Sequence, residues 1–443
     1  MSAQVQSDIE SPPARPERVL PGSVGWLVLG GLALLAAITG FHAWFDMWTR
    51  YADSGLGDFK SYVATGQAVL DGQALYDPSK ANLPMLGHTF KYTPFAAGLF
   101  VTLAVLPAKI LPALVQFSNI ALMLVVIWFG WRSLGYRKDA GTVAMTALLG
   151  AVSLAMQPVQ WNMVWGNVNM LLMAMAIVDV CLPDRNRFKG VLLGLAAGIK
   201  LVPGIFILYL LLTKRWRAAI TAIVTFLVTI GLGFLVLPGE ARYFWLSGVT
   251  DPDRVTGAGG TELPENQSIR GAVARLLDVT DPTNAQWMPA AVVIGLVGLV
   301  VAVLASRRGQ EYLGVSVVGV TMVLVTPLAW SHYWVWFVPF LVLGVHWALS
   351  ARRVLPWVLI VIAYALVLPW PADHKFDLPE PGLIFLDTGH PWLSEVLSSL
   401  SVIIGVILLA AATVAVFRTR RPAPVVHTEP TDPEQTTIIE RIS

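Results

Sequence analysis

The chain has 443 residues, of which 56% are hydrophobic and 13% charged, about half the roughly 25% charge of an average soluble domain. Together with a mean hydropathy of +0.65, this excludes a soluble globular enzyme, a disordered chain and a nucleic-acid-binding domain. The net charge of +2 is too small for a polyanion-binding surface, and a single cysteine leaves no intrachain disulfide. The remaining class is an all-α polytopic membrane protein.

Residues 1–23 are polar and proline-rich and are expected to form a cytoplasmic tail. The apolar run 24–45 follows with no small-residue cleavage site, so it is expected to be a retained first span. Further apolar runs, each near the roughly 20 residues a span needs, occur at 109–131, 141–158, 166–182, 217–237, 288–305, 311–328, 333–350, 354–370 and 393–417. The stretch 188–212 is too long for one ordinary span and is interrupted at Lys200 and Pro203, which predicts two short membrane helices meeting there. The total is about twelve spans, all helical, because apolar runs of this length cannot leave backbone groups unpaired in lipid. Pro94–Pro107, of about 14 residues, suits an interfacial or re-entrant helix. Asp58–Leu75 has apolar residues near helical spacing with polar ones between, which predicts an amphipathic helix on the outer membrane surface. The tail 418–443 is rich in Pro, Thr and Glu and is expected to be disordered.

Orientation follows from Lys and Arg in short connectors. Arg132, Arg137 and Lys138, then Arg185, Arg187 and Lys189, then Lys214, Arg215 and Arg217, then Arg307 and Arg308, then Arg352 and Arg353 fall on one side, taken as cytoplasmic. The other side holds three long segments, 46–93, 238–287 and 371–392, with five, seven and four acidic residues against four, four and one basic. The working surface is therefore expected to face outward.

Few polar groups stand out inside this apolar frame. Lys200 lies deep in an apolar run, where a lysine costs roughly 2.5–3.5 kcal/mol; it marks either an anion contact or an amine reaching for headgroups. Asp179 reads as structural, near the cytoplasmic end of its span. Asp58, in Gly57-Asp58-Phe59-Lys60, is either a helix N-cap or a desolvated carboxylate suited to general-base work; Asp53 is a weaker candidate for the same work. His332 sits among Trp330, Tyr333, Trp334 and Trp336, as part of an aromatic belt or as a polar contact to a phosphate or sugar. Asn167 and Asn169 can contact sugar hydroxyls or pair neighbouring helices.

These residues come in a recognisable order: an Asp before a surface helix ending in Gly72-Gln73-Ala74-Leu75-Tyr76, then Tyr92-Thr93-Pro94, Gly166-Asn167-Val168-Asn169, Gly198-Ile199-Lys200-Leu201-Val202-Pro203, Asn266-Gln267-Ser268 and Trp330-Ser331-His332. Over residues 24–417 the chain resembles the actinobacterial polyprenol-phosphate-mannose-dependent α-1,2-mannosyltransferases, glycosyltransferase family 87 with the GT-C fold. Within them it is most similar to those that extend phosphatidylinositol mannosides. One departure is Tyr92-Thr93-Pro94, where the family pattern has two prolines after the tyrosine.

The resemblance implies a catalytic domain over 24–417 in the plasma membrane, with juxtamembrane helices and the active site on the outer face. It implies polyprenyl-phosphate-mannose as donor, a mannosylated phosphatidylinositol as acceptor, and no further cofactor. Asp58 matches the family's catalytic base, which takes the proton of the acceptor 2-hydroxyl during an inverting displacement. The leaving polyprenyl phosphate needs stabilisation, for which Lys200, His332, Arg270 and Lys91 are the candidates. Asn167, Asn169, Gln267, Trp330 and Tyr333 are the candidates for sugar contacts. No metal site is expected; Asp251-Pro252-Asp253 spells an acidic pair, but proline between the two carboxylates makes it a poor ligand set. Rival readings are a related outer-leaflet transferase that branches lipomannan or uses an arabinofuranosyl donor, a lipid or sugar transporter, and a non-catalytic anchoring protein. Oligomeric state is not legible in the sequence.

Overall fold

The computed structural model describes residues 56–76, 90–250, 260–370 and 382–418, together with residues 18, 19 and 30. Asp53, the Asp251–Asp253 pair, the tail beyond residue 418 and, apart from Gly30, the expected first span lie outside the described residues. The helices in chain order are α1 (Gly57–Leu70), α2 (Pro94–Ala104), α3 (Leu111–Ser133), α4 (Ala140–Leu154), α5 (Gln157–Trp165), α6 (Asn169–Cys181), α7 (Val191–Ile199), α8 (Ile205–Leu212), α9 (Trp216–Val236), α10 (Pro238–Leu246), α11 (Ile269–Leu276), α12 (Asn284–Arg307), α13 (Glu311–Val325), α14 (Phe337–Ala351), α15 (Val354–Leu366), α16 (Pro391–Ser398) and α17 (Leu400–Arg418). A 3₁₀ segment, Ser331–Trp336, leads into α14.

Among the described residues, five segments are long and apolar enough to cross a membrane: α3, α9, α12, Ser331–Ala351 and α17. The α4–α5 pair adds a sixth if counted as one span, but it bends by 78° between the two helices. The sequence expectation of about twelve spans counted apolar runs, and several of these form shorter helices. α6, expected to span as 166–182, is 13 residues long, about 20 Å at 1.5 Å per residue against a hydrocarbon core of about 30 Å. The expected break in 188–212 is present: α7 ends at Ile199, Lys200 is extended with φ −141° and ψ 133°, and a 3₁₀ turn at Val202–Gly204 precedes α8.

The larger buried cluster holds Met123, Ile127, Met173, Val317, Trp334 and Val342, from α3, α6, α13, α14 and the 3₁₀ segment. A smaller one, with Phe59, Tyr62, Phe100, Leu172 and Ile199, joins α1 and α2 to α6 and α7. On the side of the basic connectors, Arg215 pairs with Glu311 and, at 3.0 Å, with Asp184. Lys189 also reaches Asp184, at 2.9 Å. The Asp179 carboxylate accepts from the backbone N–H groups of Gly190 (2.7 Å), Leu192 (2.9 Å) and Leu193 (3.3 Å), capping the first turn of α7 from α6. Its expected structural role has that physical form.

α1 lies against α2 at close range, because a Cβ on Gly66 would stand 2.2 Å from the carbonyl oxygen of Phe100. Backbone cannot yield as a flexible side chain does. Gly66→Ala is therefore expected to destabilise the protein by about 1–3 kcal/mol, read as a lowered thermal midpoint in detergent.

Candidate active site

α1 begins where the chain must pass the end of α5. The backbone N–H of Leu56 donates to the carbonyl of Val164 at 2.6 Å. Gly166 ends α5 in the left-handed region, φ 64°, and a Cβ there would lie 2.7 Å from Cβ of Phe59. Glycine meets both demands at once. Asp58, in the first turn of α1, is thereby set beside Asn167.

Asn167 Nδ2 donates to Asp58 Oδ2 at 2.6 Å and lies 3.3 Å from His332 Nε2. His332 Nε2 is itself 3.7 Å from Asp58 Oδ2. The Asn167 side-chain oxygen accepts from the backbone N–H of Asn169 at 3.1 Å, so the amide is oriented with its NH₂ toward the carboxylate. Asn169 Nδ2 donates to the His332 carbonyl at 3.3 Å, and its Oδ1 accepts from Lys200 Nζ at 3.4 Å. The lysine amine sits 3.9 Å from the ring centroid of Tyr333 and 5.4 Å from that of Tyr92, contacts that favour a cation. Carboxylate, amide, imidazole and amine thus converge from four separate segments of the chain.

Asp58 keeps 35% of its side-chain surface open, yet the surrounding protein removes most of its water. Desolvation raises its pKa above the ordinary aspartate range, against the lowering effects of the Asn167 hydrogen bond and the charges of Lys200 and Lys91. A carboxylate so placed is more basic than one in water. Beyond Lys200 an apolar recess opens, lined by Leu172, Val202, Pro203, Phe206, Met322 and Trp336.

Thr93 explains the departure noted in the Tyr92-Thr93-Pro94 sequence. Its hydroxyl accepts from the backbone N–H of Ala96 at 3.2 Å and donates to the carbonyl of Gly198, so one side chain caps α2 and ties it to α7 two residues before Lys200. A proline at position 93 offers neither bond.

The remaining sequence candidates divide into two groups. Lys91 is exposed and acts on Asp58 by charge, and Tyr333 forms the face beneath Lys200. Arg270 is held elsewhere, paired with Asp281 at 2.5 Å and 5.8 Å from the ring centroid of Trp287. Gln267 is fully buried. Its amide donates to the carbonyls of Pro264 and Ser398, both at 2.5 Å, and accepts from the backbone N–H of Ser401 at 3.0 Å. Trp330 is partly buried and bridges by backbone to Asn266. Two residues outside the sequence candidates belong to the site: the hydroxyls of Tyr62 and Tyr92 are 2.7 Å apart, and Tyr62 stacks on Phe100 at 4.5 Å. Tyr92 lies in the Tyr92-Thr93-Pro94 motif, a usable signal in the sequence; Tyr62 has none.

The family model described as glycosyltransferase family 87 matches residues 90–327. The chain is 32% identical over 401 residues, 87% of its length and 90% of the relative's, to the polyprenol-phosphate-mannose-dependent alpha-(1-2)-phosphatidylinositol pentamannoside mannosyltransferase of Mycolicibacterium smegmatis. It is 31% identical to the protein of the same name from Mycobacterium tuberculosis, over 87% of this chain and 84% of that one. A phosphatidylinositol mannoside mannosyltransferase of M. tuberculosis is 31% identical over 64% of this chain and 68% of its own length. No solved structure matches the chain.

Proposed function

The chain belongs to glycosyltransferase family 87, and we propose that it transfers mannose from a polyprenyl phosphate to a phosphatidylinositol mannoside in α-1,2 linkage. The observation that carries this reading is the convergence of Asp58, Asn167, His332 and Lys200 beside an apolar recess. The names of the relatives supply the donor and acceptor classes.

In this reading Asp58 is the general base. It takes the proton from the acceptor 2-hydroxyl as that oxygen bonds to the anomeric carbon and the bond from that carbon to the phosphate oxygen breaks. One displacement converts a β-linked mannosyl phosphate into an α-mannoside, with inversion. Asn167 holds the carboxylate and His332 in register. The leaving phosphate gathers charge near Lys200, whose amide and ring partners do not cancel its positive charge; His332 and Lys91 add polar and cationic support. The apolar recess beyond Lys200 suits the first isoprene units of the donor. Asn169 and Tyr333 line the sugar side, whereas Gln267 and Arg270 act as scaffold, because their side chains are engaged by Ser398 and Asp281; Trp330 pairs through its backbone with Asn266. The basic connectors, read as cytoplasmic, support a site on the outer face of the plasma membrane.

The pentamannoside in two of the relatives' names supports a tetramannoside as the acceptor. Transfer from radiolabelled polyprenyl-phosphate-mannose to phosphatidylinositol tetramannoside in membranes is expected to give a pentamannoside whose new bond is cut by an α-1,2-mannosidase. Failure of the folded wild type to label any mannosylated phosphatidylinositol would sink the reading.

A further inference from the structure

Thr93 serves two helices at once. It is 1% exposed; its hydroxyl oxygen accepts from the Ala96 N–H at 3.2 Å, capping α2, and its hydroxyl proton goes to the carbonyl of Gly198. That carbonyl is buried in the last turn of α7, which ends at Ile199, where a helix leaves its carbonyls without partners of its own. In a continuing α-helix the partner would be the N–H of Val202, four residues on. The chain breaks instead, with Lys200 extended at φ −141° and ψ 133°. A second hydroxyl beside Gly198, that of Thr229 on α9, already donates to the Phe226 carbonyl at 2.6 Å.

We propose that Thr93 is a positioning residue: it keeps the chain broken at Lys200 and so fixes the amine beside the leaving phosphate. The Thr93 hydroxyl competes with the Val202 N–H for one carbonyl. Without the hydroxyl, the buried Gly198 carbonyl is left unpaired, which is costly, and it regains a partner when α7 winds on through Lys200. A helical Lys200 carries its side chain off Asn169 and Tyr333, which the amine meets at 3.4 and 3.9 Å. The same bond sets the cation relative to the base. α1 carries Asp58 and lies so close to α2 that a Cβ on Gly66 would stand 2.2 Å from the Phe100 carbonyl oxygen. An in-line displacement depends on that spacing. Thr93 has φ −74° and ψ 161°, a conformation proline also adopts. The proline of the family pattern therefore fits this backbone, and what threonine adds is the bond. The inference rests on the proposed reaction for the role of Lys200.

The test measures mannosyl transfer by wild type, Thr93→Pro, Thr93→Val and Thr93→Ser, each also in a Lys200→Met background, with a thermal midpoint to check folding. Thr93→Pro and Thr93→Val are expected to lower kcat about 10- to 100-fold, as for a lost hydrogen bond and a misplaced group, with a smaller change in donor KM. Thr93→Ser keeps the hydroxyl and is expected to stay within about 3-fold of wild type. In the Lys200→Met background the same substitutions are expected to change kcat less than about 2-fold, because the group they displace is already gone. A helix cap alone would lower kcat equally in both backgrounds, and that result would overturn the proposal. Wild-type kcat in Thr93→Pro, or a Thr93→Ser enzyme as slow as Thr93→Val, would do the same. Native mass spectrometry of nanodisc-embedded protein with polyprenyl phosphate gives a readout that needs no turnover. The lipid is expected to stay on wild type and to be lost to the same extent from Thr93→Pro, Lys200→Met and the double variant. If wild type transfers no mannose, the proposed reaction fails, while that pattern of loss still reports the tie between Thr93 and Lys200; equal retention by wild type and Thr93→Pro would overturn it.

Discussion

Asp58→Asn is expected to lower kcat for mannosyl transfer by about 10²- to 10⁴-fold, the usual range for a general base, while the protein becomes more thermostable. Both outcomes share one cause. The Asp58 carboxyl has its pKa raised by burial, so between the unfolded and folded values the folded state binds more protons. The stability it contributes is complete below the unfolded pKa and is lost as pH rises through the folded one. At neutral pH the site therefore holds a charge that the fold disfavours, and an isosteric amide relieves it. The same shift sets the pH profile. As pH falls, kcat/KM for wild type should drop through a pKa above the ordinary aspartate value of 3.8, and the residual rate of Asp58→Asn should lack that limb. Full activity in the variant would remove Asp58 as the base and direct attention to His332.

Lys200→Met is the second large effect. With no cation beside the leaving phosphate, kcat is expected to fall about 10²- to 10³-fold, comparable to losing a preorganised donor at a developing charge. The loss should fall on kcat more than on donor KM, because charge on the bridging oxygen grows only as the bond breaks. Lys200→Arg is expected to recover only part of the rate. The recess around the amine is shaped by Tyr333 at 3.9 Å and Asn169 at 3.4 Å, which suits a compact ammonium better than a planar fork. A Lys200→Met enzyme with unchanged kcat would place the leaving group elsewhere.

The site was legible where its residues are rare for their setting. Lysine in an apolar run and histidine in an aromatic belt contradict their surroundings, whereas aspartate at the head of a helix is ordinary and drew notice through its motif; Lys200, Asp58 and His332 do meet in space. Asn167 was noticed as a possible sugar contact, but its hold on Asp58 depends on the left-handed turn at Gly166, which brings α5 back toward α1. Arg270 and Gln267 are eligible by sequence, because composition cannot show that Asp281, eleven residues on, takes the guanidinium. Tyr62 was hidden because a tyrosine among apolar residues reads as packing. Hydropathy measures apolar length and not helix length, so the 78° bend after α4 and the 13 residues of α6 were not legible in it.

The stretch from Asn167 to Lys200 is tied at both ends and in the middle. Asn167 holds Asp58, Lys200 meets Asn169 across the gap between α6 and α7, and the Asp179 carboxylate binds the first turn of α7. Each residue added to a helix turns everything after it by about 100°, so a single insertion inside α6 or α7 would swing the amine out of the site. Natural variation in the length of this protein should therefore be excluded from α6 and α7 and collect in connectors outside this stretch. Chain length between these two residues is an inheritable dimension of the enzyme, as constrained as the side chains themselves.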